Sequence, residues 1–203
     1  IKILAGVHHQ DSGSVYLDGH PILAPSPRDM MDAGVRVIYQ ELNLIPEMSV
    51  AENLALGREP LRNRWCGIID RRAMKRQAET VLQQFGLNLD VHKRVEQLGV
   101  AHHQIIEIAR AVSSDAIVIV MDEPTAALAP RETDKLLEIV EDLRQRGVSI
   151  IYISHRLDEV KRIADRVTVL RDGQHIVTAA NSDLSIEQLI HYMVGRRVEE
   201  VYP

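Results

Sequence analysis

The chain has 203 residues, 45% of them hydrophobic, and a formal net charge of −5. That size suits one domain with an inserted subdomain and a real core, while the acidic balance excludes a general nucleic-acid surface. No apolar run approaches the roughly 20 residues of a membrane-spanning helix, and with Cys66 the only cysteine an intrachain disulfide is excluded and a reducing compartment is the simpler setting.

Ile1–Gly6 reads as the inside of a helix stopping at a glycine. It has no start signal, so the front end of the domain is expected to be missing. Gly13–Gly19 alternates and predicts a strand running into an Asp18-Gly19 turn. Ser26-Pro27-Arg28-Asp29 predicts a short helix with Pro27 in its first turn, stopping near Gly34. Val35–Tyr39 is the next strand, ending at Gln40. From about Ser49 to Ser113 the pattern is largely helical, with Val81, Leu82 and Phe85 in one amphipathic stretch closed by Gly86. A helix is predicted over His102–Val112, a strand over Ala116–Met121 and a helix over Arg131–Gln145, whose apolar face carries Leu136, Ile139, Val140 and Leu143. A strand over Val148–Ser154, a helix over Leu157–Ala164 and a strand over Arg166–Leu170 follow. The Asp172-Gly173 turn leads into Ile176–Ala179, and Ile186–Met193 forms a last helix before an exiting linker, 194–203. Strands alternating with helices, plus a helical insertion, predict an α/β domain with a mainly parallel sheet.

The run Ala116-Ile117-Val118-Ile119-Val120-Met121 ends in Asp122-Glu123-Pro124. Such a run fits a strand covered on both faces, and parallel sheets bind ligands beyond the carboxyl ends of their strands. Two adjacent acids there are costly to desolvate unless a cation, a water or a polar substrate uses them. Capping of the next helix is the alternative reading of these two acids alone. Gln40 follows one strand and His155 follows another, so three strands deliver an amide, two acids and an imidazole, expected at one sheet edge. His8-His9 and His102-His103 invite a metal reading, but adjacent helical side chains point about 100° apart, so both pairs are expected to be solvated. Cys66 beside Trp65 is expected to be a packing residue.

These residues resemble the ATPase domain of ATP-binding cassette (ABC) transporters, and the similarity covers nearly the whole chain. It is nearest to the first half of tandem ATPases that power bacterial import of ribose-, xylose- or arabinose-type sugars. The carrying segments are Tyr39-Gln40-Glu41-Leu42-Asn43-Leu44-Ile45-Pro46, Val50-Ala51-Glu52-Asn53-Leu54 with Gly57-Arg58-Glu59, Met121-Asp122-Glu123-Pro124-Thr125, Ile153-Ser154-His155-Arg156 and Met193-Val194-Gly195-Arg196-Arg197. The resemblance implies an ABC ATPase core over 1–193, a helical subdomain over about 50–113, and a linker over 194–203 toward a second ATPase half. It implies ATP and Mg²⁺ as cofactors. Asp122 and Gln40 would hold the metal, Glu123 would act as base or orienter for the attacking water, and His155 would contact the γ-phosphate. The implied partners are membrane permease subunits, touched by the loop from Gln40 to Pro46, the second ATPase half, and indirectly a periplasmic or extracellular sugar-binding protein. Nucleic acid is not among them. The implied location is the cytoplasmic face of the cell membrane.

Two departures from the family pattern stand out. The signature segment, usually Leu-Ser-Gly-Gly-Gln, is here Leu98-Gly99-Val100-Ala101-His102-His103-Gln104, so a hydroxyl is lost at Gly99. Gly99, Val100, Ala101 and Gln104 would face nucleotide held by the opposing half, through helix N–H groups rather than a serine, and the composite site they complete is expected to hydrolyse slowly. No Gly-x-x-x-x-Gly-Lys-Ser/Thr occurs in the 203 residues, which is read as truncation just after that loop and predicts a fragment inactive by itself. A degenerate, regulatory or scaffolding ABC module is the alternative.

Overall fold

The computed structural model describes residues 1–22, 26–40, 43–63, 65–113 and 116–195. They fall into two compact units, Ile1–Ile153 and Ser154–Pro203.

The first unit opens on a helical turn. The N–H of Val7 reaches the carbonyl of Lys2 and that of Gly6 reaches Ile3, at 2.9 and 3.0 Å. This is the closure of a helix C-terminus, with Gly6 at φ +69°. Strands β1 (Val15–Leu17) and β2 (His20–Ile22) then pair antiparallel around Asp18-Gly19. Both turn residues have positive φ, as a two-residue hairpin requires. Helix α1 (Pro27–Asp32) begins where expected. The Ser26 hydroxyl accepts the Asp29 N–H while the Asp29 carboxylate accepts the Ser26 N–H.

The centre of the unit is a three-stranded parallel sheet in the order β3 (Val35–Ile38), β6 (Val118–Asp122), β7 (Ser149–Ile153). Ile119, Val120 and Met121 of its middle strand are wholly buried, confirming the double-sided burial read from the apolar run. Burial of each side chain contributes about 1.5–3 kcal/mol. Helix α5 (Pro130–Gln145) crosses from β6 to β7 and buries Leu136, Ile139, Val140 and Leu143. It ends at Gly147, where the Val148 N–H returns to the Leu143 carbonyl at 3.1 Å.

Residues 49–113 are less helical than expected. Helices α2 (Val50–Ala55), α3 (Arg71–Gln84) and α4 (Val100–Val112) are present. Between α2 and α3, however, the chain makes an antiparallel hairpin, β4 (Leu61–Asn63) with β5 (Ile68–Ile69). Val50, Ala51, Met74, Ala78, Leu82, Val91, Val95 and Ile106 form one core between the helices. The expectation that Cys66 is a packing residue is overturned. Trp65 is 96% exposed and Cys66 is exposed, because both sit in the tip of the hairpin.

The second unit contains α6 (Leu157–Ile163), β8 (Arg166–Arg171), β9 (Gln174–Ala180) and α7 (Ile186–Val194). Strands β8 and β9 pair antiparallel around the expected Asp172-Gly173 turn. Their core is Val169, Leu184 and Leu189. The Asn181 amide donates to the carbonyls of Lys161 and Ala164 at 3.1 and 2.8 Å, satisfying the open end of α6. Of the predicted linker, 196–203 lie outside the described residues.

Candidate functional site

Strands β3, β6 and β7 run parallel, so their carboxyl ends share one edge. Ile38 is level with Met121, and Asp122 with Ile153. Gln40 follows two residues after Ile38 and is exposed. Asp122 is half-buried, the last residue of β6. The structure therefore brings Gln40, Asp122 and Glu123 to one sheet edge, as expected.

Glu123 stands out by its backbone. Its φ is +46°, a left-handed conformation that costs a non-glycine residue roughly 1–2 kcal/mol. Its N–H donates to the Ile153 carbonyl at 2.9 Å, extending the β6–β7 ladder by one bond. Its carbonyl accepts the Ala126 N–H at 3.1 Å. The chain thus turns sharply at the end of the central strand, and strain at such a point is common where a side chain is being aimed. Glu132 accepts the Ala129 N–H at 2.9 Å and starts α5. The N-cap position of α5 is Ala129, six residues beyond Glu123.

The chain after Gln40 is tied down by residues that sequence reasoning missed. The Asn43 N–H donates to the Glu107 carboxylate at 2.7 Å, and Arg110 donates to the Asn43 carbonyl at 3.2 Å. Arg110 also pairs with Glu107 at 3.2 Å. Burial pushes the Glu107 carboxyl above its usual range, while the Asn43 N–H and Arg110 pull it back. Asn53, wholly buried on α2, accepts the Ile45 N–H at 2.8 Å and donates to the carbonyls of Ile45, Met48 and Ser49. A signal for both was present: Glu107 sits inside Ile105-Ile106-Glu107-Ile108-Ala109, and Asn53 between Ala51 and Leu54. Polar groups on apolar helix faces need partners. Beside this loop lies a cavity of about 960 Å³ whose lining includes Tyr39, Asn43, Leu54, Leu56, Arg58 and Arg76.

Gly99, Val100, Ala101 and Gln104 sit at the start of α4. Gly99 is the N-cap and has no side chain to cap with. A Cβ built on it meets nothing within 4 Å. Ala101 and Gln104 are buried, Val100 is exposed, and the Gln104 amide nitrogen finds no hydrogen-bond partner. Three of the four paired histidines are solvated as expected, and His103 is not, being half-buried against the chain before its helix. His8, His9 and His102 are exposed, and His103 hydrogen-bonds the Val95 carbonyl at 2.7 Å.

His155 belongs to the second unit, two residues past the end of β7. Its neighbours are held firmly. Arg156 pairs with the buried Glu159 at 2.9 Å, and its N–H donates to the Ser154 hydroxyl at 3.0 Å.

A parallel sheet with two acids at the carboxyl end of its central strand presents polar groups where open α/β sheets bind their ligands. The family model for the ABC transporter matches residues 1–126, and the chain belongs to that family. It is 47% identical over all 203 residues to a putative ribose/galactose/methyl galactoside import ATP-binding protein of Burkholderia ambifaria. It is 45% identical over the same length to a ribose import ATP-binding protein of Rubrobacter xylanophilus. It spans 39% and 40% of the length of those relatives. Among solved structures, a nucleotide-free ATP-binding cassette from an ABC transporter matches all of this chain and 81% of its own, with TM-score 0.79 and 24% identity. A further cassette of an ABC transporter matches 96% of this chain and 80% of its own, with TM-score 0.80 and 26% identity.

Proposed function

We propose that this chain forms part of the ATP-hydrolysing subunit of a monosaccharide importer, with Glu123 as its catalytic carboxylate. The single observation carrying the reading is Glu123 itself, bent into a left-handed conformation where the central parallel strand ends. The import ATP-binding relatives support the transport assignment.

The donors at this edge fit Mg²⁺-ATP. Asp122 and Gln40 offer oxygen atoms to a hard cation that keeps much of its water shell and shares phosphate oxygens. No group of three His, Cys, Asp or Glu side chains that could hold a metal occurs among the described residues, so the cation would arrive with its nucleotide. Bound there, Mg²⁺ would neutralise charge on the phosphates. Glu123 would accept a hydrogen bond from the attacking water and orient it. Gln40 would sense the same water through an amide that does not titrate. His155 would donate to the γ-phosphate from its tight Ser154–Arg156 frame, and residues 99–104 would serve nucleotide on an opposing ATPase half.

Residues 50–113 would then act as the helical subdomain, and 194–203 as the connection to a second ATPase half. The loop after Gln40 and the cavity beside Tyr39 and Leu54 would receive a permease subunit at the cytoplasmic face of the membrane. A sugar-binding protein would meet the permease from the other side.

The test uses a polypeptide extended to carry a glycine-rich phosphate loop. Glu123→Gln is expected to cut ATP hydrolysis at least about 100-fold while ATP still binds. Turnover unchanged by that substitution would overturn the reading.

A further inference from the structure

The β4–β5 hairpin carries apolar side chains into solvent. Trp65 is 96% exposed, and Leu61, Ile68 and Ile69 are 44, 53 and 44% exposed. Leu61 lies directly across from Ile69, so the two share one face. The tip is held in place: the Asn63 side-chain oxygen accepts the N–H groups of Trp65 and Cys66 at 2.9 and 3.3 Å. An indole left in water forgoes the burial that normally stabilises it.

The charge around it is equally one-sided. Residues 58–76 hold six arginines and a lysine against two acids, in a chain whose net charge is −5. Both acids serve the backbone. Glu59 accepts the Gly57 N–H at 3.2 Å. Asp70 accepts the N–H groups of Arg72 and Ala73 at the start of α3. Arg58, Arg62, Arg71, Arg72 and Arg76 are exposed. An amphipathic ring with guanidinium groups around it suits the headgroup layer of a membrane, where indoles settle and arginines bind phosphate. Because no helix among the described residues is long and apolar enough to cross a membrane, contact would be with the surface.

We propose that the β4–β5 hairpin docks directly on an anionic lipid surface, with Trp65 entering the headgroup layer and the flanking arginines on lipid phosphates. This contact goes beyond attachment through a permease and is independent of nucleotide turnover at Glu123. Trp65 is the sole tryptophan of the chain, so its emission reports the tip alone.

The experiment adds the 203-residue chain to vesicles of phosphatidylcholine, with and without phosphatidylglycerol, and follows emission and flotation. With anionic vesicles the emission is expected to shift to the blue and resist acrylamide, and raised salt should reverse both. Trp65→Ala should weaken flotation several-fold with an unchanged circular dichroism melt. Arg62→Gln with Arg71→Gln should weaken it roughly fivefold per arginine. A water-like emission spectrum on anionic vesicles overturns the proposal, as does equal binding to neutral ones. A blue shift produced by purified permease subunits but not by vesicles assigns the tip to protein and overturns it too.

Discussion

Glu107 holds the main chain of Asn43 from 64 residues away, its carboxylate 2.7 Å from the Asn43 nitrogen. Arg110 completes a three-way tie between α4 and the loop that follows Gln40. Replacing Glu107 by Leu removes the acceptor and leaves a guanidinium without its anion. That change is expected to cost about 1–3 kcal/mol and to speed hydrogen exchange at Asn43. Glu107→Gln keeps an acceptor for the Asn43 N–H and should lose less. Equal losses for the two variants, read from urea unfolding, would show that shape rather than hydrogen bonding holds the loop.

Glu123→Gly separates strain from chemistry. Glycine meets a φ of +46° without steric penalty. Against the added freedom of the unfolded chain, the net gain in unfolding free energy is expected to be roughly 0.5–1 kcal/mol. Hydrolysis in the loop-bearing polypeptide should be lost in the same variant. A destabilised Glu123→Gly protein would mean that the glutamate side chain supports the fold instead.

Serine at position 99 has room, since a Cβ there meets nothing within 4 Å. As N-cap of α4, which now lacks a side-chain cap, Gly99→Ser should add a few tenths of a kcal/mol of stability. In an assembled pair of ATPase halves it should also accelerate hydrolysis of the nucleotide facing α4. An unchanged rate in the assembled pair argues that the helix N–H groups suffice.

Two carboxyls tilt stability with pH in opposite directions. The Ser49 N–H and hydroxyl hold Glu52 below its usual 4.5, so its contribution is complete above that value and is lost as pH falls beneath it. Glu107 lies above 4.5 because it is buried. Its contribution is complete below that value and is lost as pH rises through the folded-state pKa. Glu52→Gln should therefore flatten the acid side of the stability profile, and Glu107→Gln the side above 4.5. Urea midpoints taken on either side of pH 4.5 check both slopes.

Much of this architecture was legible because local and global signals agree. The Ala116–Met121 run announced a buried central strand, although the strand starts only at Val118 and Ile117 is exposed. Ser26 with Asp29 and Ser49 with Glu52 carry helix starts in their own spacing. The β4–β5 hairpin escaped because Leu61–Asn63 and Ile68–Ile69 are too short for a period to show. Asp122, Glu123 and Gln40 were visible as polar groups at strand ends. Glu107 and Asn53 showed only as polar groups on apolar helix faces, since their partners beyond Arg110 are backbone atoms fixed by the fold. What they hold was therefore hidden by the same feature that makes them effective.

The hydrogen bonds of the Asn53 side chain go to the main chain of Ile45, Met48 and Ser49, while the side chains of Ile45, Pro46 and Glu47 face solvent. Scaffold and outer surface are consequently decoupled over this stretch. Its exterior can be rewritten to greet a different neighbour without loosening the frame behind it, provided the one buried amide is left alone.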